Sequence, residues 1–334
     1  MSEPRNFPFA SHAINLASPK LGAEVIYATD EFFASKERLT QDTEPKFIPD
    51  KYDNHGKWMD GWETRRRRDG GFDYCILMLK ARGTVYGVNI DTRYFTGNHP
   101  PHASIDGTLS ENNPNESTVW KEIIPKTEII ADSHNFIEVM SKDCFNYLRL
   151  NLYPDGGVAR LRVYGHPTTN WQQHCPTQIH ELSAIMNGGY VVGYNDAHYG
   201  NPWVILAPDR GVDMGDGWET RRRREPGNDW IVVALGAKGI IKRIEIDTAH
   251  YKGNYPDYCS VEAAILEGAN DLLVLKDDVD WQNLMGQQKL EMDRIHIFEA
   301  EKINAIGPVT HLRLSIYPDG GISRFRVFGK LALE

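Results

Sequence analysis

The chain repeats itself, and this duplication limits the folds it can adopt more than any other feature of the sequence. The nine residues DGWETRRRR occur at 60–68 and again, letter for letter, at 216–224. A second pair of segments follows at the same interval, with IDTRYFTGNHP at 90–100 and IDTAHYKGNYP at 246–256. Each copy covers about 150 residues, far more than the ~20–50 residues of a solenoid repeat. The sequence therefore predicts two domains of one fold in tandem.

A third pair of segments sets the limits of the two copies. YLRLNLYPDGGVARLRVYG at 147–165 matches HLRLSIYPDGGISRFRVFG at 311–329, with 12 of 19 positions identical. The interval between copies changes between the matching segments and not inside them, as expected when loops vary on a duplicated scaffold. We predict a first domain at 1–165, a linker at 166–182 and a second domain at 183–334.

The repeated segments have the pattern of β-strands. Apolar and polar residues alternate in LRLNLY at 148–153, which is typical of a half-buried strand. The following PDGG has the residues of a tight turn, so we predict a hairpin in which Tyr153 pairs with Val158. Further strands are predicted at 85–92 and 240–248, and convincing long helical patterns are few. The fold class is therefore all-β, with two tandem jelly-roll β-sandwiches.

Composition and charge exclude several classes of protein. Hydrophobic residues make up 41% of the chain, as in an ordinary soluble domain, and no window approaches the ~18 apolar residues of a membrane span. The net charge of −9 opposes binding to nucleic acid. The first ten residues lack the pattern of a signal peptide, and the four cysteines form no CxxC pair. We expect a cytoplasmic protein with no nucleic-acid partner and no membrane partner.

The arginine run raises a question of burial. Alternate residues of a strand face opposite sides, so an inward face of 62–68 would carry at least one arginine with it. A buried guanidinium needs an anionic or hydrogen-bonding partner. That partner is either a protein carboxylate such as Glu63, in a structural ion pair, or the carboxylate of a ligand bound by the planar arginine fork. The sequence leaves both interpretations open.

Other polar residues of the repeated segments are candidates with two roles each. Asp91 and Asp247 end predicted strands, where a carboxylate either serves a site or caps the turn with the threonine that follows. Asn98 and Asn254, in the GN.P loops, are expected to hold a turn first and to contact a ligand second. The His-Pro-Pro-His sequence at 99–102 indicates a rigid loop and not a metal site. We predict no cofactor and no metal ligands, and leave dependence on a divalent metal open.

Together, the repeated DGWETRRRR, IDT…GN.P and LRL..YPDGG..R.RV.G segments resemble those of the allantoicase (allantoate amidinohydrolase) family over essentially the whole chain. The resemblance implies tandem jelly rolls similar to galactose-binding-like domains. It also implies hydrolysis of allantoate, a small-molecule substrate, to ureidoglycolate and urea in allantoin (purine) degradation. We further expect a homo-oligomer. The alternative is a non-catalytic tandem protein that binds a small anion or a carbohydrate, because a fold does not fix a function.

The chemistry of allantoate sets what a site must contain. It needs arginines for the carboxylate, acceptors for the ureido N–H groups and an acid for the departing urea nitrogen. His99 is our candidate for that acid, because an imidazole titrates near neutral pH whereas Tyr255, its counterpart in the second copy, does not. The alternative is that His99 only hydrogen-bonds within its own loop. The candidate catalytic residues are His99, Asp91 and Asp247. The candidate substrate-binding residues are Glu63, Arg65, Arg66, Arg67, Asn98, Glu219, Arg221, Arg222, Arg223 and Asn254.

Overall fold

The computed structural model describes residues 13–266, 268, 274–275 and 279–332. The first ten residues, where we expected no signal peptide, lie outside this part. The chain divides into two compact units, Met1–Thr168 and Thr169–Glu334. No helix in the described part is long and apolar enough to cross a membrane.

In its described residues, from 13 onward, the first unit has twelve strands and two short 3₁₀ helices. The helices are Pro19–Leu21 and Lys36–Thr40. The strands are β1 (Ile14–Asn15), β2 (Glu24–Ala28), β3 (Tyr52–Asp53), β4 (Gly56–Lys57), β5 (Trp62–Glu63), β6 (Asp73–Asp91), β7 (His102–Thr108), β8 (Lys121–Glu128), β9 (His134–Glu138), β10 (Cys144–Tyr153), β11 (Gly157–Val158) and β12 (Arg160–Pro167). The main sheet has the order β1-β12-β6-β10-β7-β8, and β2 and β9 also pair with β6. All pairs within it are antiparallel.

Strand β6 connects the two layers of the sandwich. Over most of its 19 residues buried and more exposed positions alternate, as the period of two predicts. Its first part, from Asp73 to Met78, pairs with β10 and β2, whereas its last part, from Gly87 to Asp91, pairs with β12 and β9. The apolar faces of the two layers form one core, in which Leu77 and Val88 are almost fully buried.

The second unit repeats this arrangement. Its 3₁₀ helices are Trp171–Gln173, Ile185–Asn187 and Pro202–Leu206. Its strands are β13 (His180–Glu181), β14 (Tyr190–Tyr194), β15 (Trp218–Glu219), β16 (Asp229–Asp247), β17 (Tyr258–Ala264), β18 (Gln282–Lys289), β19 (Ile295–Phe298), β20 (Val309–Tyr317), β21 (Gly321–Ile322) and β22 (Arg324–Leu331). The sheet order β13-β22-β16-β20-β17-β18 matches that of the first unit. The predicted all-β class, two tandem jelly-roll sandwiches, is confirmed.

The predicted hairpin at the PDGG turn is wrong. Strand β10 pairs with β6 and β7, and β12 pairs with β6 and β1, so the two strands do not pair with each other. Val158 pairs with Trp62 instead of Tyr153. The turn leads the chain across to β5, and alternation alone could not reveal this because Leu150 and Leu161 are buried in the same core under either pairing.

The ends of the predicted linker at 166–182 are strands. Strand β12 continues to Pro167, and β13 begins at His180 and pairs with Gly329 and Phe328 of β22. The 3₁₀ helix Trp171–Gln173 lies between them. The domain limits at 1–165 and 183–334 stay a proposal.

Candidate active site

A two-residue strand places each arginine run. Trp62 of β5 is fully buried, and its indole Nε1 donates to the carbonyl oxygen of Asp30 at 2.9 Å. The pairing of β5 with β11 ends after Glu63, because Thr64 bonds to the turn that contains Gly156. The Thr64 N–H donates to Gly156 O at 3.1 Å, and Thr64 Oγ1 accepts from Gly156 N at 3.1 Å. The residues after Thr64 therefore leave the sheet.

The prediction of an arginine from this run buried in a strand is wrong. Arg65, Arg66 and Arg68 are exposed and Arg67 is half-buried. Among the described residues, the buried arginines are instead Arg160 and its counterpart in β22, Arg324, at 1% and 3% exposure. Sequence alternation failed here because the run is not a strand.

Two of the four arginines are held by carboxylates of the chain. Arg65 donates through its backbone N–H and its Nε to the two carboxylate oxygens of Asp30, at 2.9 and 2.7 Å. Arg67 donates from Nη1 to Asp73 at 2.6 Å and from Nε to Asp69 at 2.7 Å. The structural interpretation of the run therefore holds for Arg65 and Arg67, which form ion pairs with carboxylates of the chain.

Arg66 is different from its neighbours. Within the part of the chain that the structure describes, its guanidinium forms no hydrogen bond and no ion pair, although Arg65 and Arg67 on either side are both held. Because those flanking pairs fix the backbone, the unpaired guanidinium of Arg66 is available to the space beside it. A planar guanidinium in this state is suited to bind a carboxylate through two hydrogen bonds.

Glu63 lies at the base of the same space. Its side chain is 8% exposed, and its Oε1 accepts a 2.7 Å hydrogen bond from Asn98 Nδ2. Burial raises the pKa of the Glu63 carboxyl, and the hydrogen bond from Asn98 opposes that rise without cancelling it. Glu63 therefore keeps its proton to a higher pH than an ordinary glutamate.

The GN.P loop is held against the turn by close backbone contact. Asn98 O accepts from Gly157 N at 2.7 Å, and a Cβ on Gly156 would lie 2.4 Å from Pro100 N. Gly156 has a φ of +149°, so glycine is needed here for space and for conformation. The next residue of the loop, His99, has a buried Nδ1 with no hydrogen-bond partner among the described residues. The imidazole is therefore not accounted for by bonds within its loop.

These side chains line one cavity of about 1300 Å³. Arg66, Glu63, Asn98 and His99 are all part of its lining. The other lining residues are Thr29, Asp30, Phe32, Phe33, Thr64, Arg65, Arg67, Arg68, Asp69, Asp73, Gly97, Pro101, Pro154, Asp155 and Gly156. The cavity thus combines a free guanidinium, several carboxylates, an imidazole and an apolar wall.

Asp91 and Asp247 lie outside the linings of the described cavities. Asp91 Oδ1 accepts from the backbone of Arg93 at 3.0 Å, and its Oδ2 pairs with Arg93 Nη2 at 2.6 Å. Asp247 Oδ1 accepts from Ala249 N at 2.8 Å, and Oδ2 pairs with Arg210 at 3.1 Å. Both aspartates cap the turn after a long strand, which was our structural alternative for them.

The second unit brings together the corresponding residues. Arg221 is held by Asp196 at 2.8 Å, and Arg223 pairs with Asp229. Glu219 Oε1 accepts from Asn254 Nδ2 at 2.5 Å. The space beside Arg222 is divided into two recesses of about 380 and 400 Å³, which share Arg221 and Arg222. Within the described ranges, no group of three or more His, Cys, Asp or Glu side chains is arranged to hold a metal ion in either unit.

Among the lining residues that sequence reasoning did not name as candidates, Asp30, Asp155, Phe32 and Phe33 contribute most to the cavity. Asp30 and Asp155 orient the arginine run, Asp155 by accepting from Arg67 N at 2.7 Å, and Phe32 and Phe33 form the apolar wall. Both aspartates have counterparts in the second copy, Asp196 and Asp319. Both aspartates could have been found from the sequence, because an aspartate that is repeated in a loop is not explained by core packing.

The fold and the cavities define a class: a tandem β-sandwich protein in which recesses lined by arginines and carboxylates lie beside the repeated arginine run of each unit. The family model described as allantoicase repeat matches the chain twice, at residues 14–168 and 180–332. The chain belongs to the allantoicase family.

Individual members of the family are similar to this chain over nearly its full length. The chain is 52% identical over 332 residues to a probable allantoicase of Burkholderia mallei, covering 99% of this chain and 98% of the relative. It is 50% identical to a probable allantoicase of Ralstonia nicotianae, with 98% of each chain covered. The crystal structure of allantoicase from Saccharomyces cerevisiae superposes with a TM-score of 0.80 at 35% identity, covering 98% of both chains.

Proposed function

We propose that the protein hydrolyses allantoate to ureidoglycolate and urea in allantoin (purine) degradation, and that the cavity beside Arg66 is where it does so. Family membership over the whole chain supports the reaction. The observation that supports the place is the unpaired Arg66 guanidinium between two arginines that are already held, because the substrate is a carboxylate. A carbohydrate-binding role has less support, since charged groups dominate the cavity lining.

The cavity contains a partner for each part of allantoate. The substrate carboxylate pairs with the Arg66 fork. The ureido N–H groups donate to carboxylate oxygens, for which Asp30 and Asp155 lie on the lining. Phe32 and Phe33 exclude water from one side, which strengthens the polar contacts on the other. Binding thus fixes the central carbon of allantoate near Glu63 and His99.

Glu63 and His99 divide the proton transfers. The C–N bond to one ureido group breaks while the oxygen of a water molecule bonds to the same carbon. The Glu63 carboxyl, whose pKa burial raises, gives its proton to the departing urea nitrogen. The His99 imidazole takes a proton from the attacking water, which differs from the acid role we expected for it from sequence. Transfer of that proton from His99 to Glu63 after product release restores both groups.

The direct test is the identity of the products. Purified protein given allantoate should release one urea and one ureidoglycolate for each substrate consumed. Release of ammonia and carbon dioxide, or no turnover together with binding to sugars on an array, would contradict the proposal. A parallel assay after treatment with a chelator tests for dependence on a divalent metal.

We also propose a cytoplasmic location and a homo-oligomer. All four cysteines are free thiols, which is typical of a reducing compartment. Light scattering should give a mass above the 38.0 kDa of one chain, and fractionation should recover the protein with cytosolic markers.

A further inference from the structure

The site of the second repeat repeats the binding half of the first. Arg221 and Arg223 are held by carboxylates, as Arg65 and Arg67 are. Arg222 lies between them and, like Arg66, forms no hydrogen bond or ion pair within the described ranges. The backbone around the run is fixed in the same way, since Thr220 Oγ1 accepts from Gly320 N at 3.1 Å.

The groups that would receive a ureido function are present as well. The Glu219 carboxylate faces the recess and is oriented by Asn254 at 2.5 Å. Asp319 lines the same recess and accepts from Arg223 N at 2.8 Å. Asp257, also on the lining, is paired with Lys289 and so adds little repulsion to an anion.

The wall groups are not the same in the two repeats. Phe32 and Phe33 of the first cavity are replaced by His198 and Tyr199, whose rings pack edge to face at 4.3 Å. Tyr255 takes the place of His99. The recesses beside Arg222, at about 380 and 400 Å³, are also smaller than the first cavity.

From these contacts we infer that the second repeat holds a complete ligand site of its own, centred on Arg222, for a small carboxylate that carries a ureido group. One chain therefore binds two such ligands, one in each repeat, and the two sites differ in affinity because their walls differ. The ligand carboxylate pairs with the Arg222 fork and its ureido N–H groups donate to Glu219 and Asp319. This inference rests on the proposed function for the class of ligand, and adds the number and place of the sites.

The test is equilibrium dialysis of the full chain against radiolabelled N-carbamoylglycine, which has the carboxylate and one ureido group but no second ureido group to lose. The wild type should bind two equivalents at saturation. Arg222→Gln and Arg66→Gln should each bind one, and the double variant none. Both arginines are exposed, so the fold should tolerate the substitutions. Glu219→Gln is a second variant for the Arg222 site. It should weaken binding at one of the two sites about tenfold or more.

A wild type that binds a single equivalent, or an Arg222→Gln variant that still binds two, would overturn the inference. Urea release from allantoate by the wild type is measured in parallel. If the wild type turns over allantoate but binds only one equivalent, and Arg66→Gln loses both turnover and binding, then the second site does not exist and the proposed function stands. Absence of turnover removes the proposed function, whereas the number of sites is still decided by dialysis.

Discussion

At the scale of single residues, neighbouring side chains of one type have different roles because their partners differ. Arg65 and Arg67 neutralise carboxylates of the chain, whereas Arg66 does not. Glu63 is buried beside an amide while Asp30, in the same cavity, faces a guanidinium. Burial raises the pKa of Asp30 too, but the hydrogen bonds and charge of Arg65 outweigh it and the net pKa is lowered. One cavity thus holds an acid that keeps its proton and a carboxylate that stays ionised.

Arg66→Lys should lower kcat/KM about ten- to a hundredfold, because a charged hydrogen bond is worth ~1.5–3 kcal/mol and lysine keeps the charge without the fork. The melting temperature should not change, since Arg66 pairs with no described residue. Arg67→Lys is the matched control: it breaks contacts with Asp69 and Asp73, so its main effect should be a lower melting temperature. If Arg66→Lys changed only stability, Arg66 would have no role in binding.

Glu63→Gln should abolish most turnover and remove the fall in kcat that occurs as pH rises through the pKa of Glu63. Stability gives an independent readout. Because the folded-state pKa is raised, Glu63 contributes fully below the pKa of an unfolded glutamate, and this contribution is lost as pH rises through the folded value. The free energy of unfolding of the variant should therefore improve relative to wild type across that window. An equal offset at every pH would show that folding does not raise the pKa of Glu63.

His99→Asn should lower kcat by at least about a hundredfold, the smaller end of what a positioned acid or base contributes. Asparagine is polar but cannot take up and release a proton, so the proton transfer assigned to the imidazole should be lost. Circular dichroism and the melting temperature should match the wild type, since no described partner is lost. Near-full turnover with an unchanged pH profile would remove His99 from the mechanism.

At the scale of elements, buried arginines tie the strands to the long loops that carry the site. Arg160, at the start of β12, donates to the carbonyl oxygens of Thr43 and Asp60 and to the carboxylate of Asp60, at 2.9–3.0 Å. Asp60 immediately precedes the segment that leads into β5. In the second unit Arg324 makes the same kind of contacts with Asp209 and Asp216.

Arg160→Met should therefore destabilise the first unit by about 3–5 kcal/mol, since it leaves the Asp60 carboxylate and two carbonyls without their buried partner. Urea denaturation followed by fluorescence is the measurement. Lys121→Met is the control in the same unit: Lys121 forms an exposed pair with Asp143, and such pairs contribute at most about 1 kcal/mol. Equal effects of the two substitutions would contradict the anchoring role of Arg160.

At the scale of the whole molecule, each unit has a core of its own with a buried thiol in it. Cys75 and Cys259 are fully buried in the first and second units, and burial raises the pKa of both, to about 12 for Cys259. Cys175 is exposed, and hydrogen bonds from Thr177 lower its pKa. The thiols are thus reporters of different parts of the chain.

A disulfide-exchange reagent should label Cys175 rapidly in the native protein, because the thiolate is the reactive form. Cys75 and Cys259 should react only when the unit that contains each one unfolds. Mass spectrometry of peptides after increasing urea would give the order of labelling, and prior blocking of Cys175 is the control. Labelling of either buried thiol at the native rate of Cys175 would contradict the two closed cores.

The sequence by itself determined the duplication, the all-β class and the family, because these depend on local periodicity and on the similarity of whole segments. Tertiary structure alone decided which two of the four consecutive arginines are held by carboxylates of the chain. The partners that hold Arg65 and the backbone of Arg67 come from residues 35 and 88 positions away. Tertiary structure also placed Glu63 inside the cavity and Asp91 outside it, since burial and ion pairing depend on contacts distant in the chain, which no pattern within one segment encodes.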